Sequence, residues 1–169
     1  MTDLKSKEIR SEITSEGKLN LSIVTSDVPT PSDDEVLIKV EASPINPSDL
    51  GLLISFAADL DSISSQGSGD DTVTTMGIHP GLMQSMKPRI DKSMKVGNEG
   101  GGVVVDAGKN AKNLIGKTVG VAGGAMYSQY RCLPAMSCLV MNEGTTSAEA
   151  ASSFVNPLTA LGFTETMKL

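Results

Sequence analysis

The amino-acid sequence predicts a mainly β fold, either a barrel or a sandwich of short strands. Short runs that are apolar or alternate in polarity are separated by glycine-rich turns at close spacing, which is the pattern of all-β domains. Helical signals are confined to the C-terminal end of the chain. We therefore expect one β domain that ends in short helices.

The predicted strands form two groups along the chain, separated by an irregular stretch. Alternating residues indicate the strands of the first group, and β-branched or apolar runs indicate most of the second. The predicted strands span residues 7–13, 18–24, 35–41, 102–107, 117–122, 128–133 and 138–141. Residues 55–94 lie between the groups, and we expect an irregular insertion there with a few methionine anchors.

Two helices are predicted at the C-terminal end. Thr146 and Glu149 have the spacing of a capping box, which predicts a helix over 148–154. Pro157 ends this helix and suits the first turn of a second helix over 157–167. The β fold is thus expected to end in a helical segment.

Length and composition bound the class of protein. The chain has 169 residues, a formal net charge of −6 and 39% apolar residues, which is ordinary for one globular domain. The negative charge argues against nucleic-acid binding, and no apolar run approaches the ~20 residues needed to span a bilayer. The polar N-terminus predicts no secretory signal, so Cys132 and Cys138 are expected to be reduced thiols in the cytoplasm.

One run fits a nucleotide-binding pattern, but we expect no nucleotide there. Residues 111–118 (AKNLIGKT) match a relaxed P-loop. A P-loop opens a helix whose N-terminal amides bind phosphate, whereas the following TVGVAGGA predicts a strand.

The sequence contains no cluster of metal ligands at a recognisable spacing. Zinc sites combine cysteine, histidine and carboxylate side chains in such clusters. Here five residues separate Cys132 from Cys138, and the single histidine, His79, lies in the irregular stretch. We expect no metal site, two cysteines within strands and a solvated histidine.

The run 97–102 (GNEGGG) does not match the G-x-G-x-x-G fingerprint of dinucleotide-binding loops, and a strand follows it rather than a helix. Glycines in such a run serve a positive φ angle or the close approach of another element. Glu99 inside the run is either a functional carboxylate or a cap for nearby amides, and we favour the cap.

Four runs, taken in order, carry a resemblance to a known family. They are EVLIKVEASPINPSDLGLL, VGNEGGGVVVDAGKN, LIGKTVGVAGGAMYSQYRCLP and SSFVNPLTALGFTETMKL. In sequence and order they are similar to the medium-chain dehydrogenase/reductase superfamily, and most to its zinc-independent NADPH:quinone oxidoreductase and enoyl reductase branch. The resemblance covers most of the chain from about Glu35 onward, apart from the insertion.

The resemblance implies a GroES-like irregular β-barrel that forms the N-terminal half of a two-domain enzyme. In the family, a Rossmann domain with the pyrophosphate loop forms the second half, and the active site lies between the halves. The 169 residues contain no such loop, so the short C-terminal helices are expected to lead toward an absent Rossmann domain. The expected domains are a GroES-like domain over 1–150, with the insertion 55–94, and a helical connector over 151–169.

The resemblance also implies a set of site residues. The zinc branch places a cysteine at or beside Asn46 and a histidine at Asn98, so a metal-free enzyme is implied. In such an enzyme Asn46 lies near the nicotinamide, and Thr159 contacts the nicotinamide side of NADPH, with Asn156 as a further candidate in the same turn. Asn46 also suits a simple turn, and Thr159 a helix-facing hydroxyl. The proton donor of some relatives falls on Ala57, so no catalytic residue is assigned.

Two functions of different classes remain open. The first is the N-terminal half of an oxidoreductase that transfers hydride from NADPH to a quinone or an α,β-unsaturated carbonyl, and this chain alone is expected to be an inactive fragment. Leu158, Leu161 and Phe163 suit packing against a homo-oligomeric partner or a missing Rossmann half. The alternative is a non-catalytic GroES-like binding or interaction module, whose terminal helix would have a polar outer face.

Overall fold

A computed structural model describes residues 4–168 of the chain. These residues divide into two compact units, each with its own apolar core. Residues 4–6, 27–44 and 97–168 form the first unit, and residues 7–26 and 45–96 form the second. Each unit is built on a five-stranded antiparallel sheet within the described part of the chain. The prediction of a mainly β fold is confirmed.

Residues 4–168 form strands and α-helices, with short 3₁₀ turns between some of them. The strands are β1 (Lys5–Ile13), β2 (Lys18–Asp27), β3 (Glu35–Ala42), β4 (Ala58–Gln66), β5 (Val73–Ile78), β6 (Met94–Lys95), β7 (Gly100–Ala107), β8 (Thr118–Val121), β9 (Tyr130–Pro134) and β10 (Cys138–Val140). The α-helices are α1 (Pro47–Leu53), α2 (Met83–Met86), α3 (Ser147–Ala151) and α4 (Val155–Thr166).

The sheet of the first unit has the strand order β10-β8-β7-β3-β9. Its core is dominated by β-branched residues, whose stiff side chains pack well on a pleated surface. The fully buried members include Val36 and Ile38 of β3, Val104 of β7, and Val119 and Val121 of β8. On β3 and β8 these residues lie two positions apart, because successive side chains of a strand point to opposite faces.

The sheet of the second unit has the strand order β4-β5-β2-β1-β6. Its core combines aliphatic residues with methionines, and the chain has few aromatic residues to fill it. The buried members include Ile13, Leu19, Ile78, Met76 and Met86. The two methionines confirm the expected anchors inside residues 55–94.

The stretch 55–94 is more regular than the sequence predicts. β4 and β5 pair as an antiparallel hairpin inside it, and α2 and β6 follow. β4 is exposed along most of its length, so its residues lack the apolar alternation by which strands are predicted. The expectation of an irregular stretch is therefore wrong for these elements, whereas the predicted domain boundary at residue 150 stays a prediction.

The C-terminal helices are present with different bounds. The predicted capping box forms, and the Glu149 N–H donates to Thr146 Oγ1 at 3.2 Å. The first helix nevertheless ends at Ala151, and α4 already begins at Val155. The predicted break at Pro157 is wrong, but Pro157 does occupy the first turn of α4, as expected.

The second unit buries one charged group on β1, Glu8, which is only 5% exposed. Lys95 Nζ donates to its carboxylate at 2.9 Å and Arg10 Nε at 2.7 Å. Burial by itself raises the pKa of Glu8, but the hydrogen bonds and charges of Lys95 and Arg10 outweigh it and hold the pKa below its usual value. The carboxylate therefore ties the edge strand β6 to β1.

The variant Glu8→Gln is expected to lose about 1–3 kcal/mol of unfolding free energy at neutral pH, because its charge-assisted hydrogen bonds with Lys95 and Arg10 are weakened. Since the folded pKa of Glu8 is lowered, its stabilisation is present above the unfolded pKa and is lost as pH falls through the folded pKa. The difference between wild type and variant should therefore shrink below about pH 4.5. Urea denaturation at several pH values measures this difference in unfolding free energy between the wild type and Glu8→Gln. The exposed Glu16→Gln is the matched control, and an equal loss in both variants would contradict the role of Glu8.

Candidate functional site

The run 97–102 of the first unit contains a fully buried carboxyl group, that of Glu99. Its Oε2 accepts hydrogen bonds from the main-chain N–H groups of Phe154 and Val155, both at 3.0 Å. These amides stand at the N-terminal end of α4, where helix N–H groups lack partners inside the helix. The expectation that Glu99 caps nearby amides is confirmed.

The glycines that follow Glu99 allow β7 to pack closely against its neighbours. A Cβ atom on Gly102 would lie 2.0 Å from the carbonyl oxygen of Lys39 on β3. A Cβ on Gly101 would lie 2.4 Å from the carbonyl oxygen of Ser147 on α3. The expected close approach at this run is therefore confirmed. A side chain at Gly102 would force β7 away from β3, and one at Gly101 would force β7 away from α3.

A second pair of contacts in the first unit fixes the chain just before the INPSDL run. Tyr127 donates its hydroxyl proton to the carbonyl oxygen of Pro44 at 3.0 Å. Ser43 Oγ donates to the carbonyl oxygen of Met126 at 2.8 Å. The loop that carries Met126 and Tyr127 contains Ala125 in the left-handed region, with φ of 59°. Nothing in the sequence marked Tyr127, because a lone tyrosine in a glycine-rich loop has no distinctive spacing.

Asn46 of the second unit caps the N-terminus of α1. The main-chain N–H of Asn46 donates to Asp49 Oδ2 at 2.8 Å, and the main-chain N–H of Asp49 donates to the main-chain carbonyl oxygen of Asn46 at 2.9 Å. Pro47 fills the first helical position, where its missing N–H costs nothing. Asn46 and Asp49 are 3% and 2% exposed. The sequence left open a simple turn at Asn46 as the alternative to a cofactor contact, whereas Asn-Pro-Ser-Asp forms a capping box and begins a helix.

Asn156 and Thr159 lie in the first turns of α4 in the first unit. Both are exposed. Thr159 Oγ1 donates to the carbonyl oxygen of Val155 at 2.6 Å, which leaves oxygen lone pairs that can accept from another donor. The structure therefore brings these two candidates onto one helix, one turn apart, whereas Asn46 belongs to the other unit. Their contacts with a cofactor stay predictions.

The position at which the resemblance implies a proton donor holds no ionisable group. Ala57 is fully buried in the core of the second unit, and its neighbour Phe56 is 71% exposed. The structure adds no acid at this position.

Both cysteine thiols are free and lie in strands of the first unit, as expected. Burial raises the pKa of Cys132 to about 11, with help from the nearby carboxylate of Glu35. Burial also raises the pKa of Cys138 to about 11. Both thiols are therefore protonated at neutral pH and are poor nucleophiles.

The remaining sequence motifs carry no site in the described residues. His79 is exposed, as expected. β8 begins at Thr118, where a P-loop needs a helix, so the rejection of nucleotide binding at residues 111–118 is consistent with the fold. Among residues 4–168, no three or more His, Cys, Asp and Glu side chains are grouped closely enough to hold a metal ion.

α4 presents several large apolar side chains to solvent. Leu158, Leu161 and Phe163 on α4, and Met167 directly after it, are between 54% and 86% exposed. No residue of the helix between Val155 and Thr166 is buried. Exposed apolar groups at this density are typical of a surface that another polypeptide covers. No described helix has the length and hydropathy that a membrane-spanning helix requires.

Solved structures share the fold of this chain along almost its whole length. A Mesorhizobium loti protein provisionally named an NADPH:quinone reductase is 23% identical with a TM-score of 0.65, and the match covers 99% of this chain and 46% of that one. A Bacillus thuringiensis protein with the same provisional name is 23% identical with a TM-score of 0.65, over 98% of this chain and 42% of that one.

The quinone oxidoreductase of Escherichia coli, solved in complex with NADPH, is 18% identical with a TM-score of 0.58, over 95% of this chain and 40% of that one. No protein-family model and no curated protein matches the chain. The chain spans less than half the length of these solved structures. The resemblance inferred from the sequence is thus confirmed as a likeness of fold to the N-terminal part of such proteins.

The variant Glu99→Gln is expected to lower the unfolding free energy by about 1–2 kcal/mol, because a neutral amide oxygen accepts the two N–H bonds more weakly than a carboxylate does. Amide hydrogen exchange at Phe154 and Val155 should accelerate at the same time. The exposed Glu143→Gln is the control and should change neither quantity. Unchanged exchange at the two amides in Glu99→Gln would show that another group caps α4.

Proposed function

We propose that this chain is the N-terminal half of a metal-independent NAD(P)H-dependent oxidoreductase that reduces a quinone or an α,β-unsaturated carbonyl. The observation that carries the proposal is the fold match over 95% of the chain to a quinone oxidoreductase solved with NADPH. Two further matches to proteins named as NADPH:quinone reductases support it.

The candidate residues fit the nicotinamide end of such a cofactor. A nicotinamide carboxamide has N–H donors and a carbonyl acceptor, so it needs neutral hydrogen-bonding partners. Thr159 offers hydroxyl lone pairs, and Asn156 is an exposed amide residue on the same helix. Asn46 is the third candidate, and its place is set by the capping box of α1. The pyrophosphate would need a glycine loop that this sequence does not contain.

The proposed acceptors share an electron-poor carbon conjugated to a carbonyl group. NADPH supplies a hydride when bound. The part of this chain would be to orient the nicotinamide and to hold it near the acceptor, since positioning supplies much of the acceleration in such reactions. None of the candidate residues needs to titrate for this task.

The proposal excludes a zinc mechanism on the chemistry of the donor set. Asn46 and Asn98 stand where the resemblance places the cysteine and histidine of the zinc branch, and neutral amides are poor zinc ligands. The two cysteines lie in strands of the first unit, and among the described residues no group of three or more His, Cys, Asp and Glu side chains could hold a metal ion.

A non-catalytic binding module remains the second candidate function. It would be favoured by a polar outer face on the terminal helix. α4 instead exposes Leu158, Leu161 and Phe163, which supports packing against a dinucleotide-binding half or a second copy of the chain. The proposed oxidoreductase accounts for this apolar surface, and an isolated module does not.

The cofactor role of Asn46 can be separated from its cap role by two substitutions. Asn46→Ser keeps a good N-cap, so stability should change by no more than about 0.5 kcal/mol, but the carboxamide is lost. Asn46→Ala should lose both the N-cap and the carboxamide, and the unfolding free energy should fall by about 1 kcal/mol. Titration with reduced nicotinamide mononucleotide, followed by NMR, should show binding to the wild type and at least about tenfold weaker binding to both variants. Wild-type affinity in Asn46→Ser would show that Asn46 only caps the helix.

The 169-residue chain alone is expected to turn over no NADPH with a benzoquinone acceptor, because it carries no pyrophosphate loop. Loss of NADPH absorbance measures turnover directly. Full-length Escherichia coli quinone oxidoreductase serves as the positive control for the assay. Turnover that scales with the concentration of this chain would overturn the proposal that a second half is needed.

A further inference from the structure

The main-chain carbonyl groups at the C-terminal end of α1 need hydrogen-bond donors from outside the helix. The last four carbonyl groups of an α-helix have no partner inside the helix. In α1 these are the carbonyls of residues 50–53. The carbonyl oxygen of Leu50 accepts hydrogen bonds from the main-chain N–H groups of Ile54 and Ser55, both at 3.0 Å. The other three carbonyls need donors from elsewhere in the second unit.

Arg89 supplies two of these donors. Its Nη1 donates to the carbonyl oxygen of Gly51 at 3.2 Å, and its Nη2 donates to that of Leu52 at 2.8 Å. Nη2 also donates to Ser11 Oγ at 3.1 Å. Ser11 Oγ in turn donates to the carbonyl oxygen of Leu53 at 2.9 Å. Arg89 and Ser11 therefore complete the set of partners for the end of α1.

The chemistry of this contact suits arginine. A planar guanidinium presents several N–H donors in a rigid fork, and a cation is favourable at a helix C-terminus. Burial lowers the pKa of Arg89, but from so high a value that the group keeps its charge at neutral pH. Its Nε is buried without a partner among the described residues, so the two terminal nitrogens make all of its described contacts with α1.

The length of α1 makes these contacts decisive. A helix of seven residues is far below the ~12–15 residues at which isolated helices become marginally stable in water. Its N-terminal end is held by the capping box of Asn46 and Asp49, and its C-terminal end by Arg89. Loss of the hydrogen bonds at either end of α1 is therefore expected to destabilise the other end as well.

We propose that Arg89 is a positioning residue that holds the C-terminal end of α1 and, through this short helix, sets the place of Asn46. This assigns a task to the stretch 55–94, for which the sequence indicated none. The step from α1 to a bound nicotinamide rests on the proposed function, whereas the step from Arg89 to α1 does not.

The first experiment contains no cofactor. Arg89→Met removes the donors and keeps an unbranched side chain. Amide hydrogen exchange at Ile54 and Ser55 should accelerate about tenfold or more, and the side-chain amide signals of Asn46 in the NMR spectrum should shift. The amides of β7 in the first unit should keep their wild-type exchange. Unchanged Ile54, Ser55 and Asn46 signals would overturn the proposal.

Two control variants make the result specific. Lys87→Met removes an exposed cation two residues away and should leave Asn46 and α1 as in the wild type. Arg89→Lys keeps a charge and fewer donors, so Ile54 and Ser55 should exchange about threefold faster than wild type, between wild type and Arg89→Met. If Arg89→Met does not fold, Arg89→Lys decides, and wild-type exchange of Ile54 and Ser55 in that variant overturns the proposal.

The second experiment tests the link to the cofactor. Reduced nicotinamide mononucleotide should bind Arg89→Met about tenfold more weakly than Lys87→Met, and Arg89→Lys should recover part of that loss. If the α1 signals move as expected but the wild type binds no nicotinamide, the positioning of α1 by Arg89 stands and the proposed function fails. If the α1 signals do not move in Arg89→Met while the wild type does bind the nicotinamide, the positioning of α1 by Arg89 fails and the proposed function stands.

Discussion

The end groups of a helix have no hydrogen-bond partners within the helix and must find them elsewhere, and both candidate turns of this protein depend on that constraint. In the first unit, the fully buried carboxyl of Glu99 accepts the N–H groups of Phe154 and Val155. It thereby defines where α4 begins, and α4 carries Asn156 and Thr159. An unpartnered buried N–H or C=O costs about 1–3 kcal/mol, so a single carboxyl group is enough to decide between two possible helix starts.

In the second unit, a cation supplies the partners for a helix end. Arg89 donates to the carbonyls of Gly51 and Leu52, and it lies 37 residues from the nearer of them along the chain. Glu99 lies 55 residues from Phe154. In both units a side chain distant in sequence therefore holds the end of the helix that carries the candidate residues. Local propensity contributes little to either helix end, since α1 is only seven residues long and contains Gly51.

The same constraint explains what the sequence could and could not predict. Strands such as β3 and β8 were predicted to within about two residues, because burial on a sheet leaves an alternating or β-branched pattern. α1 was missed because Asn46-Pro47 followed by Ser and Asp has the same composition as a turn. β4 was missed because an exposed edge strand leaves no apolar alternation. The start of α4 at Val155 was not predictable, because its cap comes from Glu99, directly before β7, rather than from a neighbouring residue.

The proposed hydride transfer requires no acid, base or nucleophile from the candidate turns. The cysteine thiols have raised pKa values, His79 is exposed, and the position of a possible proton donor is the buried Ala57. Acid–base and nucleophilic enzymes need titratable groups tuned toward neutral pH. Hydride transfer makes no such demand, because the cofactor carries the reactive bond and the protein contributes orientation. In the proposed enzyme, that contribution would come from neutral amides and a hydroxyl on helix ends held by Glu99 and Arg89.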